Sequence, residues 1–383
     1  MTFTNGRVIL PDAIRDDVDV VVHAGKIAHV TTRGVTTPSG KLDLGGSYLA
    51  PGFVDVHVHG AIGRDTMEAS VDAFRAICGY HASGGTTSLL LTTATAPIAD
   101  IVVVLERARA SLARIPQLQG IHVEGPFISR ARAGAQRAEF IRDPEPAITD
   151  ELLAFDDVIR RATVAPELPG ASAMISALVK HRIAVSGGHS DAWDEEARAG
   201  FDSGMRHVTH TFNCMSSARR RDGVRVAGLL EFALSEPDIM CELIADGHHV
   251  SPTLMKMLYR AKGADGICLV TDATAGAGLA DGTAFTLAGV DCMVRDGACF
   301  LADGSALAGS AARMIDLVRT MLAEVGVPLY EAVKMAATNS ARAAALPHKG
   351  RIERGCDADF VVLSPDLEVL QTYLRGEQIY ARP

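Results

Sequence analysis

The sequence predicts an α/β protein: a (β/α)8 barrel of the TIM type, joined to a small β-sandwich domain built from both chain ends. Three observations support this fold class. Strand-like apolar runs alternate with stretches of helical periodicity through the middle of the chain. Short β-rich runs with tight turns occupy both ends. The 383 residues, 48% of them hydrophobic, suffice for one large core and one small one.

The two ends of the chain share one pattern. Near the start, Val18–Val22 and Ile27–Thr31 are β-rich runs on either side of a turn, and residues 359–363 and 369–374 repeat this arrangement near the end. Because chain termini often lie close together, we expect the two ends to pair. The predicted domains are residues 1–50 plus 347–383 for the β sandwich and 51–346 for the barrel.

The barrel is predicted from eight strand-like runs, most of them followed by a helical pattern, such as Ala99–Arg114, Ala171–His181 and Pro252–Lys262. Such a barrel typically needs about 250 residues. A doubly wound sheet is the alternative, but no GxGxxG follows an early strand. The predicted strands are Phe53–Val58, Ser88–Thr95, Gly120–Glu124, Ala162–Pro166, Ile183–Gly187, His207–Asn213, Met240–Asp246 and Ile267–Asp272.

Bulk properties restrict the partners of the protein. The net charge of −9 argues against a general affinity for nucleic acid or anionic membranes. No apolar run reaches the roughly 18 residues of a membrane span, and the first residues do not resemble a signal peptide. The seven cysteines are odd in number and form no CxxC, which is typical of reduced thiols in the cytoplasm.

Residues of the metal-ligand type stand at the predicted strand ends. His57 and His59 are two apart in a strand, so their side chains project to the same side, although such a pair alone can be structural. The carboxyl ends of barrel strands meet at the active-site face. Nitrogen and oxygen ligands without thiolate suit zinc, iron, manganese or cobalt, and zinc is the expected ion. The strand-end residues are His57, His59, Glu124, His189, His210 and Asp272.

This ligand set predicts hydrolysis of an amide, a lactam or a related C–N bond. A metal ion lowers the pKa of bound water to about 7, which supplies a nucleophile at neutral pH. Asp272 would take the water proton as general base and return it to the leaving group as general acid. A plain metal ligand is the alternative role for Asp272.

Longer motifs carry a family resemblance over nearly the whole chain. They are Pro51-Gly-Phe-Val-Asp-Val-His-Val-His-Gly60, His122-Val-Glu-Gly-Pro-Phe127, Val164-Ala-Pro-Glu167, Gly188-His-Ser190, Thr209-His-Thr-Phe-Asn-Cys-Met215, Ile244-Ala-Asp-Gly-His-His-Val250, Leu269-Val-Thr-Asp-Ala273 and Leu307-Ala-Gly-Ser310. Together they resemble the amidohydrolase superfamily, and more closely its branch of amino-sugar-phosphate deacetylases. Glu124 stands where other branches carry a carboxylated lysine.

The resemblance implies hydrolysis of the N-acetyl group of N-acetylglucosamine 6-phosphate to glucosamine 6-phosphate and acetate. It implies one or two divalent ions: Glu124, His189 and His210 hold the principal ion, and His57 and His59 share Glu124 for a second. It also implies Asp272 as the catalytic acid and base. The substrate-binding positions that it implies are Ala135, Gln136, Asn213, Cys214, Arg221, His249, Leu307, Ala308 and Gly309.

The resemblance further implies a homodimer in which Arg221 reaches the substrate phosphate in the neighbouring subunit, with Arg225 as a rival. The chain departs from the family pattern at Arg220 and Gln136, where histidines are common, and at Cys214, where alanine is. Because of these departures, other small amides remain alternative substrates, namely N-acetylgalactosamine 6-phosphate, an unphosphorylated N-acetyl sugar or an N-acyl amino acid. A non-catalytic binding protein is a third hypothesis.

Overall fold

The computed structural model describes residues 1–35 and 40–383. Within them, eight parallel strands pair in sequence order. Val58 bridges to Ala273 and the His59 amide donates to the Ala273 carbonyl, which closes the ring. The predicted barrel is therefore confirmed, and the doubly wound alternative is wrong, because such a sheet is open and its strand order reverses. The strands are Phe53–Val58, Thr86–Thr92, Leu118–Glu124, Ile159–Val164, Ala184–Gly187, His207–Val208, Met240–Leu243 and Ile267–Leu269.

The helices bury one apolar face each. Ala171, Met174, Ile175 and Leu178 of one helix are all buried, at the i, i+3, i+4, i+7 spacing of a helix stripe. Pro252 begins another helix at a first-turn position, where its missing N–H costs nothing. The α-helices in the described residues are Val71–Ala82, Ile98–Ser111, Pro146–Leu153, Ala171–Lys180, Asp194–Asp202, Leu229–Ser235, Pro252–Lys262, Met314–Thr320, Leu329–Ala336 and Thr338–Ala343.

Both chain ends build the small β part, as predicted. Tyr48–Pro51 pairs antiparallel with Phe360–Leu363, so the two ends share one sheet. Phe3 from the other sheet lies 4.9 Å from Phe360, ring centroid to ring centroid, within a common core. One sheet has the order Lys26–Thr32, Val18–His23, Thr2–Thr4, Lys41–Asp43; the other has Glu377–Ala381, Val369–Leu374, Phe360–Leu363, Tyr48–Pro51, Arg7–Ile9, Ile14–Arg15.

Several barrel strands end earlier than the sequence predicts. The sixth ends at Val208, although the apolar and β-branched pattern continues to Asn213. Beyond Val208 the backbone turns, with φ of 30° at His210 and 81° at Phe212. The His210 amide donates to the side-chain carboxylate of Glu242 in the neighbouring strand and not to a backbone carbonyl of that strand. The residues after Val208 therefore have the composition of a strand but form a turn that carries His210 into the site.

Two long segments cover the carboxyl end of the barrel. The first follows the third strand and contains short 3-10 turns at Arg130–Arg132 and Ala138–Phe140. The second follows the eighth strand and contains a three-stranded antiparallel sheet. That sheet consists of Ala284–Leu287, Val290–Arg295 and Ala298–Leu301.

Among the described residues, none of the helices combines the length and the apolar character that crossing a bilayer requires.

Candidate active site

The structure brings the strand-end residues together around one carboxylate. Oε1 of Glu124 lies 3.3–3.4 Å from Nε2 of His57, His189 and His210. Its Oε2 lies 3.2 Å from Nε2 of His59. Oδ1 of Asp272 lies 3.4 Å from Nε2 of His57 and 3.3 Å from Nε2 of His59. All of these side chains are buried.

The donor atoms fit a divalent metal ion. One group of ligand atoms belongs to His57, His59 and Glu124, and a second belongs to Glu124, His189 and His210; within each group the atoms lie within 4.8 Å of one another. Nε2 atoms face each other at 3.3 Å between His57 and His59 and at 3.1 Å between His189 and His210. Glu124 Oε1 has no hydrogen-bond partner among the described residues although it is buried. A cation satisfies all of these lone pairs.

Charge dominates the protonation of the cluster. Burial by itself lowers the pKa of His57 and His59, but the facing carboxylates of Asp272 and Glu124 reverse this, and the pKa of His59 rises to about 9. Burial by itself raises the pKa of Glu124, yet the surrounding histidines hold it well below its usual value. The carboxylates of the cluster therefore stabilise a positive charge placed beside them.

The backbone delivers three of these side chains from an uncommon conformation. His189, His210 and Asp272 have φ of 46°, 30° and 49°. Non-glycine residues rarely adopt this left-handed region, and such residues cluster at functional sites. Nδ1 of His189 lies 2.8 Å from the Arg132 carbonyl, which can only accept a hydrogen bond. The proton on Nδ1 leaves the Nε2 lone pair directed at Glu124.

A cavity of about 260 Å³ lies over the cluster. Ala308 does not line it: this residue is fully buried, and its amide donates to the Cys299 carbonyl. Thr274, Leu287 and Ala306 line the cavity without having been predicted. The predicted substrate-binding residues that line it are Ala135, Gln136, Asn213, Cys214, His249, Leu307 and Gly309.

Gln136 and His249 are both held by protein groups. Nε2 of Gln136 donates to Oε2 of Glu124 at 2.8 Å, and its Oε1 accepts from the Thr95 amide at 2.7 Å. The amide thus tethers its loop to the carboxylate of the site. Nδ1 of His249 lies 2.7 Å from Oδ2 of Asp246. Burial by itself lowers the pKa of His249, but Asp246 raises it above its usual value.

Arg221 lies outside the set of residues that line the cavity of its own chain. It belongs to the hairpin of Arg219–Arg221 and Val224–Val226. Its Nη1 lies 2.5 Å from Oε1 of Glu195, and its guanidinium lies 4.5 Å from the Trp193 ring centroid. Its reach into a neighbouring subunit stays a prediction.

Three charged residues that support the site were not predicted from the sequence. Glu242 lies 3.1 Å from Nδ1 of His57, and Arg161 lies 2.6 Å from Glu242. Asp246, which holds His249, was noted only as part of a longer motif. A usable signal exists for Glu242, because it places a charge inside the predicted strand Met240–Asp246. Arg161 gives no such signal, because it precedes the predicted strand Ala162–Pro166, although the strand begins at Ile159 in the structure.

The fold and the matching sequence define the class of protein: the chain belongs to the amidohydrolase family, whose sequence pattern matches residues 48–379. More particular similarities run over nearly the full length. The N-acetylglucosamine-6-phosphate deacetylase of Lysinibacillus sphaericus is 35% identical over 94% of this chain and 93% of its own. The N-acetylgalactosamine-6-phosphate deacetylase of Escherichia coli O157:H7 is 32% identical over 97% of each chain. The crystal structure of the N-acetylglucosamine-6-phosphate deacetylase of Pasteurella multocida superposes with a TM-score of 0.93 at 33% identity, covering 100% of this chain and 99% of that one.

Proposed function

We propose that this protein hydrolyses the N-acetyl group of N-acetylglucosamine 6-phosphate to glucosamine 6-phosphate and acetate. One observation carries the proposal: histidines and acids from five different barrel strands meet beneath a cavity in which Asp272 stands beside them. Full-length relatives that bear this activity in their names support it. In this assignment residues 51–346 form the hydrolase barrel, and residues 1–50 with 347–383 form the β-sandwich domain.

Glu124, His189 and His210 would hold the principal divalent ion, and His57 and His59 would share Glu124 for a second. We propose zinc, because imidazole nitrogens and carboxylate oxygens without thiolate suit it. When bound, the ion supplies polarisation of the amide carbonyl and a lowered pKa for water.

Asp272 is the proposed general base and then general acid. Burial by itself raises its pKa, but the neighbouring His57 and His59 hold it below its usual value, so the group is ionised at neutral pH. An ionised carboxylate can take the proton of the attacking water. Its protonated form can then give that proton to the departing amine, which returns Asp272 to its starting state.

The substrate would lie along the cavity walls. His249, oriented by Asp246, would donate to the acetyl carbonyl from its other ring nitrogen. Asn213 and the backbone of Cys214 would bind the phosphate end. Arg221 of the neighbouring subunit in a homodimer would complete the phosphate site, since a guanidinium can bind phosphate with two hydrogen bonds. The sugar would rest on Ala135, Gln136, Leu307 and Gly309, with Ala308 supporting that wall.

Acetate release from a substrate panel tests the proposal on protein of measured metal content. We expect the highest kcat/KM with N-acetylglucosamine 6-phosphate, and a lower value with the unphosphorylated sugar. Faster turnover of N-acetylgalactosamine 6-phosphate would shift the assignment to that epimer, the activity named for one relative. Turnover of N-acyl amino acids alone, or of nothing in metal-loaded protein, would contradict the proposal.

A further inference from the structure

We propose that Glu242, held by Arg161, is a positioning residue that orients His57 and ties the two groups of metal-ligand atoms together. The inference rests on the proposed metal centre, and it concerns residues that the proposed mechanism does not use. It follows from a buried ion pair inside the barrel, beneath the cavity.

Glu242 contacts both ligand groups. Its Oε2 lies 3.1 Å from Nδ1 of His57, which belongs to the first group. The same oxygen accepts the backbone amide of His210, a member of the second group, at 3.0 Å. No other carboxylate in the described residues touches the far side of His57. One acidic side chain therefore restrains a ligand on each side of Glu124.

The contact with His57 fixes the tautomer of its ring. A carboxylate can only accept, so Nδ1 of His57 carries the proton, and the Nε2 lone pair points at Glu124 and Asp272. A histidine whose Nδ1–H is bound by a carboxylate is also a stronger metal ligand. Glu242 thus makes His57 ready to bind an ion through Nε2.

Arg161 keeps Glu242 in place and ionised. Its Nη2 lies 2.6 Å from Oε1 of Glu242 and donates to Oγ of Ser186 at 3.0 Å. Both charged side chains are fully buried. Burial by itself raises the pKa of Glu242, but the positive charge of Arg161 and the hydrogen bond to His57 hold it far below its usual value. A lone buried charge would be strongly destabilising, so neither residue is replaceable without the other.

Paired replacements test this role without stranding a charge. The first variant is Arg161→Met with Glu242→Gln, which removes both charges and leaves an amide oxygen that can accept from His57. The second is Arg161→Met with Glu242→Met, which removes the acceptor as well. The control is Lys349→Met with Asp359→Asn, a buried pair in the small β part whose charged atoms lie 2.7 Å apart.

Metal affinity, measured by competition with a coloured chelator, is the main readout, with the stoichiometry and the visible spectrum of the Co²⁺-loaded proteins beside it. We expect the second variant to bind metal about ten- to a hundredfold more weakly than wild type, with a changed Co²⁺ spectrum, and the first variant to be intermediate. The control should lose stability but bind metal as wild type does.

Two failures are distinguishable. If wild type binds metal and both barrel variants match it in affinity and in Co²⁺ spectrum while losing only stability, Glu242 is structural and the inference is wrong. If wild type itself binds no divalent ion, the proposed function fails first. A barrel variant that does not fold is replaced by Glu242→Asp, which keeps a negative charge for Arg161 but shortens the side chain that reaches His57. We expect its Co²⁺ spectrum to differ from that of wild type, and an unchanged spectrum overturns the inference.

Discussion

Replacing Asp272 by Asn separates the chemistry of this residue from its structural role. Asparagine has nearly the same size but cannot accept a proton from water. The backbone of Asp272 is held by its amide, which donates to the His57 carbonyl at 2.9 Å, and by its carbonyl, which accepts from Ser310 at 2.8 Å. Both hydrogen bonds survive the substitution. The fold around the site should therefore persist, and a change in rate reports the carboxylate.

The size of the effect follows from the role. Loss of general acid–base catalysis typically costs about 10²- to 10⁴-fold, or about 3–5 kcal/mol in the barrier. We expect this loss in kcat with little change in KM, because the proposed substrate contacts do not involve the carboxylate. Asp272 touches His57 and His59 but neither His189 nor His210. Metal at the principal group should therefore remain.

Initial rates of acetate release and metal content are measured on the same preparations. Asp19→Asn serves as a matched control: Asp19 is also a buried aspartate, and it accepts from Thr4 in the small β part. The control should keep the wild-type kcat. A metal-replete Asp272→Asn protein with a kcat within about threefold of wild type would refute the assignment of acid and base.

Further predictions concern the metal, the pH dependence and the phosphate. His210→Gln should lower the metal content after dialysis and the gain in melting temperature on adding Zn²⁺, because it deletes one of three ligands; an unchanged gain would contradict it. The ion pair of Asp246 and His249 stabilises the fold most between pH 3.8 and 6.5, since the pKa of Asp246 is lowered from 3.8 and that of His249 is raised from 6.5; the pair loses its effect above the folded-state pKa of His249 and below that of Asp246. In urea unfolding, Asp246→Asn should therefore lower the free energy of unfolding more at about pH 6 than at about pH 9. An equal loss at both pH values would show that the ion pair does not cause it. Arg221→Met should raise KM for the phosphorylated substrate with kcat little changed, whereas Arg225→Met should not; the reverse result would assign the phosphate to Arg225.

Local pattern in the sequence predicted the elements well where packing follows a regular period. Phe53–Val58 has the bounds that its apolar run predicted, and so does Pro252–Lys262 with its proline start. The pairing of the chain ends and the convergence of ligand-type residues also followed from the sequence. These features depend on repeating patterns and on the rule that parallel strands share one carboxyl edge.

The rest depended on contacts between distant parts of the chain. His57 and Glu242 are in contact although they are 185 residues apart in the sequence, and the local sequence of neither strand predicts this partner. Gln136 was predicted to contact the sugar, which stays a prediction, and its local sequence gives no sign that the folded loop also brings its amide within 2.8 Å of the charged carboxylate of Glu124. The early end of the sixth strand also depends on a contact between distant residues, because the His210 amide donates to the Glu242 carboxylate.

The sequence by itself determined the barrel, the split β part and the residues that gather at the barrel mouth, because hydrophobic period and strand-end position are local properties. Only the tertiary structure decided which oxygen of Glu124 faces which imidazole, that Asp246 orients His249, and that a buried Arg161 holds Glu242 against His57. Those choices depend on distances of a few ångströms between side chains from different strands, and these distances exist only once the ring of strands has closed.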